Sequence, residues 1–140
     1  MSNTLDAKIR GILHRVRSIA MVGASANPAR PSHQVMRYLI GKGYRVIPVN
    51  PGLAGQELQG ERVYATLRDI PGPVDMVDIF RAAAAVPGIV EEAIAIGAKV
   101  VWMQLGIRDD VAAAKAEAAG IDVIMNRCPA IELERLGGPG

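Results

Sequence analysis

The sequence predicts a doubly wound α/β domain, with a parallel sheet between two layers of helices. Five short runs that are apolar almost throughout, of which IAMV at 19–22 is the first, have the pattern of strands buried on both faces. Helix-period segments ended by glycine lie between them, and that alternation is how consecutive βαβ units are written. Half of the 140 residues are hydrophobic and 21% are charged, which is enough apolar material for a single domain with its own core.

Residues 4–16 put Leu5, Ile9, Ile12, Leu13 and Val16 on one helical face, with Asn3 or Thr4 available as the cap. Ile19 to Val22 is the first strand, ended by Gly23 and the loop ASANPARPS. A helix follows from near Ser32, whose hydroxyl can cap it; it buries Val35, Met36, Leu39 and Ile40 and stops at Gly41 and Gly43. Tyr44 to Val49 is the second strand, and residues 50–60 read as a glycine-rich loop leading to a helical turn over Thr66 to Ile70. Met76 to Phe80 is the third strand. Pro87 opens a helix whose apolar positions are Ile89, Val90, Ala93, Ile94 and Ile96 and whose terminator is Gly97. Lys99 to Met103 is the fourth strand, and Asp109 or Asp110 caps an alanine-rich helix ending at Gly120. Ile121 to Met125 is the fifth strand, and Pro129 to Leu136 is a last helix.

The right-handed crossover rule leaves few ways to assemble these pieces into a three-layer Rossmann-like fold with a five-stranded parallel sheet. Strand order 3-2-1-4-5 is the expected one, with a flavodoxin-like 2-1-3-4-5 as the alternative. Pro48 cannot donate to a central ladder, so it is expected near the carboxyl end of its strand, where pairing is already lost. Ligands bind such sheets beyond the carboxyl ends of the strands. The segments that matter are therefore 23–33, 49–55, 80–86, 104–108 and 126–130.

Composition excludes several classes. Aromatics make up 4% and the net charge is only +2, which argues against a nucleic-acid partner. A lone cysteine, Cys128, excludes an internal disulfide and a multi-cysteine zinc site and fits a reducing, cytoplasmic setting. No signal core or membrane-length apolar run is present, so no membrane is expected. The small net charge hides an asymmetry, +7 over residues 1–48 against −5 over the rest. Solvated helix faces account for that, and so does a basic end that meets a small polyanion.

The loop Gly23-Ala24-Ser25-Ala26-Asn27-Pro28-Ala29-Arg30-Pro31-Ser32 is the place for such an anion. Gly23 permits a close turn, Ser25 and Ser32 offer hydroxyls, Arg30 offers charge, and the N–H groups around Ser32, His33 and Gln34, at a helix N-terminus, are expected to be unpaired and to favour an anion. The dinucleotide fingerprint G-x-G-x-x-G is absent, and Asn50 stands where an acid would hold ribose hydroxyls, so NAD is disfavoured. No G-x-x-x-x-G-K-[ST] loop supports nucleoside triphosphate hydrolysis.

VGASANPARPSHQVMRYL, GYRVIPVNPGLAGQELQGERVYATLRDIP, VDMVDIFR, AIAIGAKVVWMQLGI and MNRCPAIE, in that order over about residues 15–136, resemble the small stand-alone CoA-binding proteins. Through them the chain is similar to the CoA-binding domain of the succinyl-CoA synthetase α subunit. The resemblance implies one CoA-binding domain over 1–140, preceded by an amphipathic helix, with coenzyme A or an acyl-CoA lying across the carboxyl edge of the sheet. It places Ser25, Ala26, Asn27 and Pro28 at the CoA phosphates, Val49, Asn50 and Pro51 beside the nucleotide, and Met103, Gln104 and Leu105 at the ligand-facing end of the fourth strand. Leu53 departs from the pattern, because the synthetase domain has a lysine there; Arg30 or another base would have to replace it.

The synthetase also uses a phosphohistidine in a second domain and a nucleotide-binding partner. Neither region is found in these residues, so no catalytic centre of its own is expected. His14 reads as a surface residue, and His33 as helix-start packing or a phosphate contact. Arg81 and Gln104 are polar groups at the mouth of the site. Cys128 resembles the cysteine of the synthetase Asn-Cys-Pro segment; it reads as a small residue tightening a turn, or as a thiol able to form a mixed disulfide with CoA. Asp75 and Asp78 read as exposed strand ends, Trp102 as core, and no metal site is expected. Two other readings stay open: an NAD(P)-binding redox sensor or oxidoreductase, and a ligand-binding subunit of an acyl-CoA synthetase acting with a partner. A homodimer or another protein partner is compatible with all of them.

Overall fold

The structure, a computed structural model, describes residues 4–137. Its elements in chain order are α1 (Thr4–Arg15), β1 (Ser18–Val22), α2 (Pro31–Gly41), β2 (Arg45–Val49), β3 (Glu57–Leu58), β4 (Glu61–Arg62), β5 (Met76–Ile79), α3 (Val86–Ala95), β6 (Val100–Met103), α4 (Asp110–Ala118), β7 (Asp122–Ile124) and α5 (Pro129–Leu136). Short 3-10 turns occupy Pro51–Leu53, Leu67–Asp69 and Ala83–Ala85. Asn3, one of the two expected caps of α1, lies outside the described residues; Thr4 is itself helical.

β2, β1, β5, β6 and β7 form one sheet in that order, all pairs parallel. Alternation along each strand divides the core into two layers. Ala20, Val77 and Val101 face α3 and α4, whose Val90, Ala93, Ala113 and Ala116 pack on them. Ile19, Met21, Met76 and Trp102 face α1, α2 and α5, which contribute Ile9, Ile12, Met36, Leu39 and Leu133. Trp102 is core, as expected, and its indole N–H donates to the Arg127 carbonyl at 2.8 Å.

Counted along the chain, the strands of this sheet run 2-1-3-4-5, the flavodoxin-like alternative, and not the favoured 3-2-1-4-5. The reason lies on the outer edge of β2. Pro48 pairs with Met21 in register, and its carbonyl points outward to accept from Tyr64 N at 3.1 Å. Its nitrogen faces the same outer side, so a missing N–H there breaks any further ladder. Only an isolated bridge between Val49 and Tyr64 covers that edge, and β5 pairs on the other side of β1. Pro48 is the penultimate residue of β2, near the carboxyl end as expected, but pairing is not lost there: β2 is an edge strand and the proline nitrogen faces its open side.

Between β2 and β5 the expected loop also holds the hairpin β3–β4. Its turn residues Gln59 and Gly60 both have positive φ, 50° and 86°, a conformation for which Asn-Gly is the usual sequence and Gln-Gly a much weaker signal. Asp109 caps α4 as expected, accepting from Ala112 N at 3.0 Å. Ser32 does not cap α2: the cap position is Arg30, with no side-chain bond, and Ser32 is buried in the first turn.

α5 is held by charge as well as by Leu133. Glu132 is 3% exposed, yet it accepts from Arg135 at 2.9 Å and Arg127 at 3.4 Å, and Arg135 reaches on to Asp6 of α1 at 2.6 Å. The Arg135 guanidinium bound to Asp6 holds that carboxyl below its ordinary value. Glu132→Ala would leave two guanidinium groups around an emptied acceptor site. Because both arginines are partly exposed, the expected loss is about 2 kcal/mol, short of the full cost of an orphaned buried ion. Urea unfolding of the variant checks this, and a loss under about 0.5 kcal/mol would reduce the cluster to an ordinary surface contact.

Candidate functional site

The carboxyl ends of β1 and β5 lie side by side, and the chain leaves them in opposite directions. Residues 23–30 lead to α2 on one face and residues 80–85 to α3 on the other, so a crevice opens between them. Gly23 is required at its base. It has φ +95°, and a β-carbon there would stand 2.4 Å from the Phe80 carbonyl oxygen and 3.1 Å from the Arg81 side chain. Gly23 N and Ala24 N both donate to the Val49 carbonyl, at 3.0 and 3.3 Å.

The loop beyond Gly23 is shaped by its own polar side chains. Ser25 Oγ accepts from Asn27 N, and Asn27 Oδ1 accepts from Ala29 N, both at 3.0 Å. Asn50 ties the loop to the end of β2: its amide nitrogen donates to the Ala24 carbonyl at 2.8 Å while its oxygen accepts from Gly52 N at 2.8 Å. At the start of α2 the N–H groups of His33 and Gln34 already donate to the Arg30 carbonyl, at 3.1 and 3.3 Å. The expectation of unpaired N–H groups at these two residues is therefore corrected. What the helix start offers an anion is its dipole and the flanking Arg30.

Three grooves meet at this edge. One of about 470 Å³ lies over the loop, against Gly23, Ser25, Arg30, Ser32 and Asn50. A smaller one of about 200 Å³ lies toward α3, against Val49, Pro51, Thr66, Ile89 and Glu92. The largest, about 740 Å³, runs between α2 and α5, where Tyr38 donates to Glu134 at 2.6 Å. Arg81 lines all three.

The family model described as CoA binding domain matches residues 17–134. The chain belongs to the CoA binding domain family. It is 38% identical over 128 residues to the uncharacterized protein YneT of Bacillus subtilis (strain 168), covering 91% of this chain and 93% of that one. It is also 38% identical over 93 residues to the alpha subunit of the ADP-forming acetate–CoA ligase I of Pyrococcus furiosus, which amounts to 64% of this chain and 20% of the subunit. A hypothetical protein from Pyrococcus horikoshii OT3 superposes with a TM-score of 0.90 at 44% identity, over 95% of this chain and 92% of that one. The resemblance to CoA-binding ligase subunits that the sequence carries is thereby borne out, as is the Rossmann-like class.

Within this CoA binding domain the residues singled out from the sequence fall into three groups. Gly23, Ala24, Ser25, Arg30, Ser32, Asn50 and Arg81 come together around the loop groove, with Val49 and Pro51 in the small groove beside it. Gln104 and Leu105 line the large one, and so does Cys128, which is 5% exposed. Ala26, Asn27 and Pro28 form an exposed rim, and His33 lines none of the three grooves; its carbonyl accepts from Gln59 and its buried Nδ1 has no hydrogen-bond partner. Met103 is fully buried in the layer under α3 and α4 and does not face these grooves. Arg127, the base next to Cys128, has its guanidinium on Glu132. Leu53 sits half-buried at the end of a 3-10 turn. The expected segments 80–86, 104–108 and 126–130 supply much of the α2–α5 groove; what sequence reasoning missed is its helical walls, Val35 and Tyr38 of α2 and Ile131 of α5, which are far apart in the chain.

Asp78 is the largest departure. Far from being an exposed strand end, it is 0% exposed within β5, and burial alone pushes its carboxyl well above the usual carboxylate range. With its amide nitrogen turned toward Asp78, Gln104 donates to the two carboxyl oxygens at 3.0 and 3.2 Å. Asp75, by contrast, stays near the surface and accepts from Arg17 N at 2.8 Å and Ser18 N at 3.1 Å. Among the described residues no group of three His, Cys, Asp or Glu is placed to hold a metal ion, and no helix is long and apolar enough to cross a membrane.

Two outcomes follow. Gly23→Ala must adopt a positive φ costing about 1–3 kcal/mol and also push the Phe80 carbonyl aside; thermal unfolding should show at least that loss, and a neutral result would mean the crevice is not locked here. Burial raises the Asp78 carboxyl above the value of about 4 that it has in the unfolded chain, so the stability linked to its proton is complete below that pH and declines as pH rises toward the folded pKa. Asp78→Asn cannot titrate. Its stability relative to the parent should rise with pH by up to about 1.4 kcal/mol per unit across that window, measured by urea unfolding at pH 4, 5.5 and 7; a flat difference would mean that Asp78 is ionised.

Proposed function

We propose that the protein binds coenzyme A or an acyl-CoA along the three grooves and has no catalytic centre of its own. The observation that supports this most is the position of Arg81, the one charged residue common to all three. A ligand spanning them must present anionic groups near the junction, which the diphosphate of CoA does. Its phosphates would lie over the Gly23–Ser32 loop between Arg30 and Arg81. The adenosine would lie toward Val49, Pro51 and Thr66, and the pantetheine arm would pass over Phe80 toward the space between α2 and α5. Arg81 takes the place of the lysine replaced by Leu53, since an exposed guanidinium can grip a phosphate with two parallel bonds.

The basic bias of residues 1–48 suits the same ligand, and a cytoplasmic setting suits its supply. The relation to a ligase alpha subunit, of which this chain spans a fifth, supports a second reading as a ligand-binding subunit that works beside a partner. Capture of a nucleotide-binding chain from cell extract would favour that reading.

Calorimetric titration tests the first. CoA should bind, dephospho-CoA more weakly, and NADH and ADP weakest. Affinity should fall as salt rises from low to physiological levels. Arg81→Ala should weaken CoA by about 10–100-fold, the worth of one charged hydrogen-bond pair. Tighter binding of NADH than of CoA would overturn the assignment in favour of a dinucleotide-linked redox role.

A further inference from the structure

We propose that the groove between α2 and α5 is an acyl pocket, and that it selects uncharged, apolar acyl groups carried on CoA. This rests on the CoA reading above and goes beyond it by naming the class of cargo. At about 740 Å³ the groove is of the size that takes a whole small ligand, far more than a terminal thiol fills. It opens from the loop groove past Pro31, Phe80 and Arg81, which line both, so a chain following the pantetheine arm enters it directly.

Its walls are apolar. Val35 on α2, Ile107 after β6, and Ala130 and Ile131 on α5 face the space, together with Phe80 and Leu105. Leu105 and Ile131 are 56% and 52% exposed, two of the four large hydrophobic side chains left open among the described residues, and both stand at this one groove. Apolar side chains gathered at one opening mark a surface that is covered in use. The pantetheine arm, with two amides to satisfy, is a poor cover for them; a hydrocarbon chain is a good one.

The floor carries no charge to hold a charged cargo. Gln104 lines it, and beneath it lies the fully buried Asp78, whose carboxyl burial pushes well above the usual carboxylate range. Tyr38 is already bonded to Glu134. The one charged lining residue is Arg81, at the shared mouth. A succinyl carboxylate reaching into the groove would be desolvated without a partner, and that penalty outweighs what its methylenes gain. The neutral thioester itself needs only a dipolar neighbour, which Gln104 supplies. The groove therefore discriminates by what it lacks as much as by its walls.

Isothermal titration with CoA and with acetyl-, butyryl-, hexanoyl-, octanoyl- and succinyl-CoA decides the matter. Affinity should rise by about threefold for each added methylene until the groove is full and then level off. Succinyl-CoA should bind no tighter than CoA. Ala130→Trp, which fills the groove, and Ile131→Ala, which thins its wall, should each lower the octanoyl-to-CoA affinity ratio. If CoA binds and the chain-length series is flat, the acyl pocket is wrong and the CoA reading survives. If CoA itself does not bind, the underlying reading falls. Sedimentation of the parent and of Ile131→Asp supplies a further control: a dimer that the substitution splits, with no chain-length dependence, would make the groove an interface between copies and overturn the proposal.

Discussion

The absence of a side chain at Gly23 sets the architecture of the functional edge. There the end of β1 passes so close to the end of β5 that the Phe80 carbonyl oxygen stands 2.4 Å from where a β-carbon would be, and the backbone turns with positive φ. The approach joins two segments that then diverge to opposite faces of the sheet. It brings the Arg81 stem across the glycine, within 3.1 Å of where a β-carbon would be, so that one cation serves the whole crevice. The loop that follows can then be short and held by its own Ser25, Asn27 and Asn50, because the turn that aims it is fixed by sterics and not by length.

The elements were legible in the sequence, and so was the class of fold, because apolar runs and glycine stops are local signals. Strand order was legible too, in one residue read too narrowly. Pro48 forbids a ladder on one side of its strand, and that alone makes the strand an edge and puts the third strand of the sheet beside the first. The consequence reaches the site. In the expected order the neighbour of the Gly23 loop is the strand that ends in Met103 and Gln104; in the observed order it is the one that ends in Phe80 and Arg81. Arg81 thus moves from one of several polar groups at the mouth to the centre.

What the sequence concealed was hidden for a physical reason. Asp78 stands next to Ile79 in a run whose alternation says that it points into the layer with Met76 and Trp102, yet an acid at the end of a short strand is ordinarily solvated. Only when α2 and α5 are laid over that face does the position become fully enclosed. An acid retained there, its carboxyl raised above the usual range by burial, sits where its oxygens hold the Gln104 amide in place. A hydrocarbon at that point would pack as well and leave Gln104 without its partner.

The edge of the sheet therefore runs from charged to apolar along one line. Arg30 and Arg81 stand over the glycine loop, and the buried Asp78 lies under Gln104 past the Phe80 turn. The open groove of Val35, Ile107 and Ile131 comes last. The order is imposed by topology, since the loop after the first strand begins α2 with its basic residues, while the far wall belongs to α5, whose first turn is apolar apart from Glu132. That acid is turned inward onto Arg127 and Arg135 and does not line the groove. The contact that docks α5 against α1 is thus also what turns the Glu132 carboxylate away from the groove, while the exposed Glu134 carboxylate of the same helix is taken up by Tyr38.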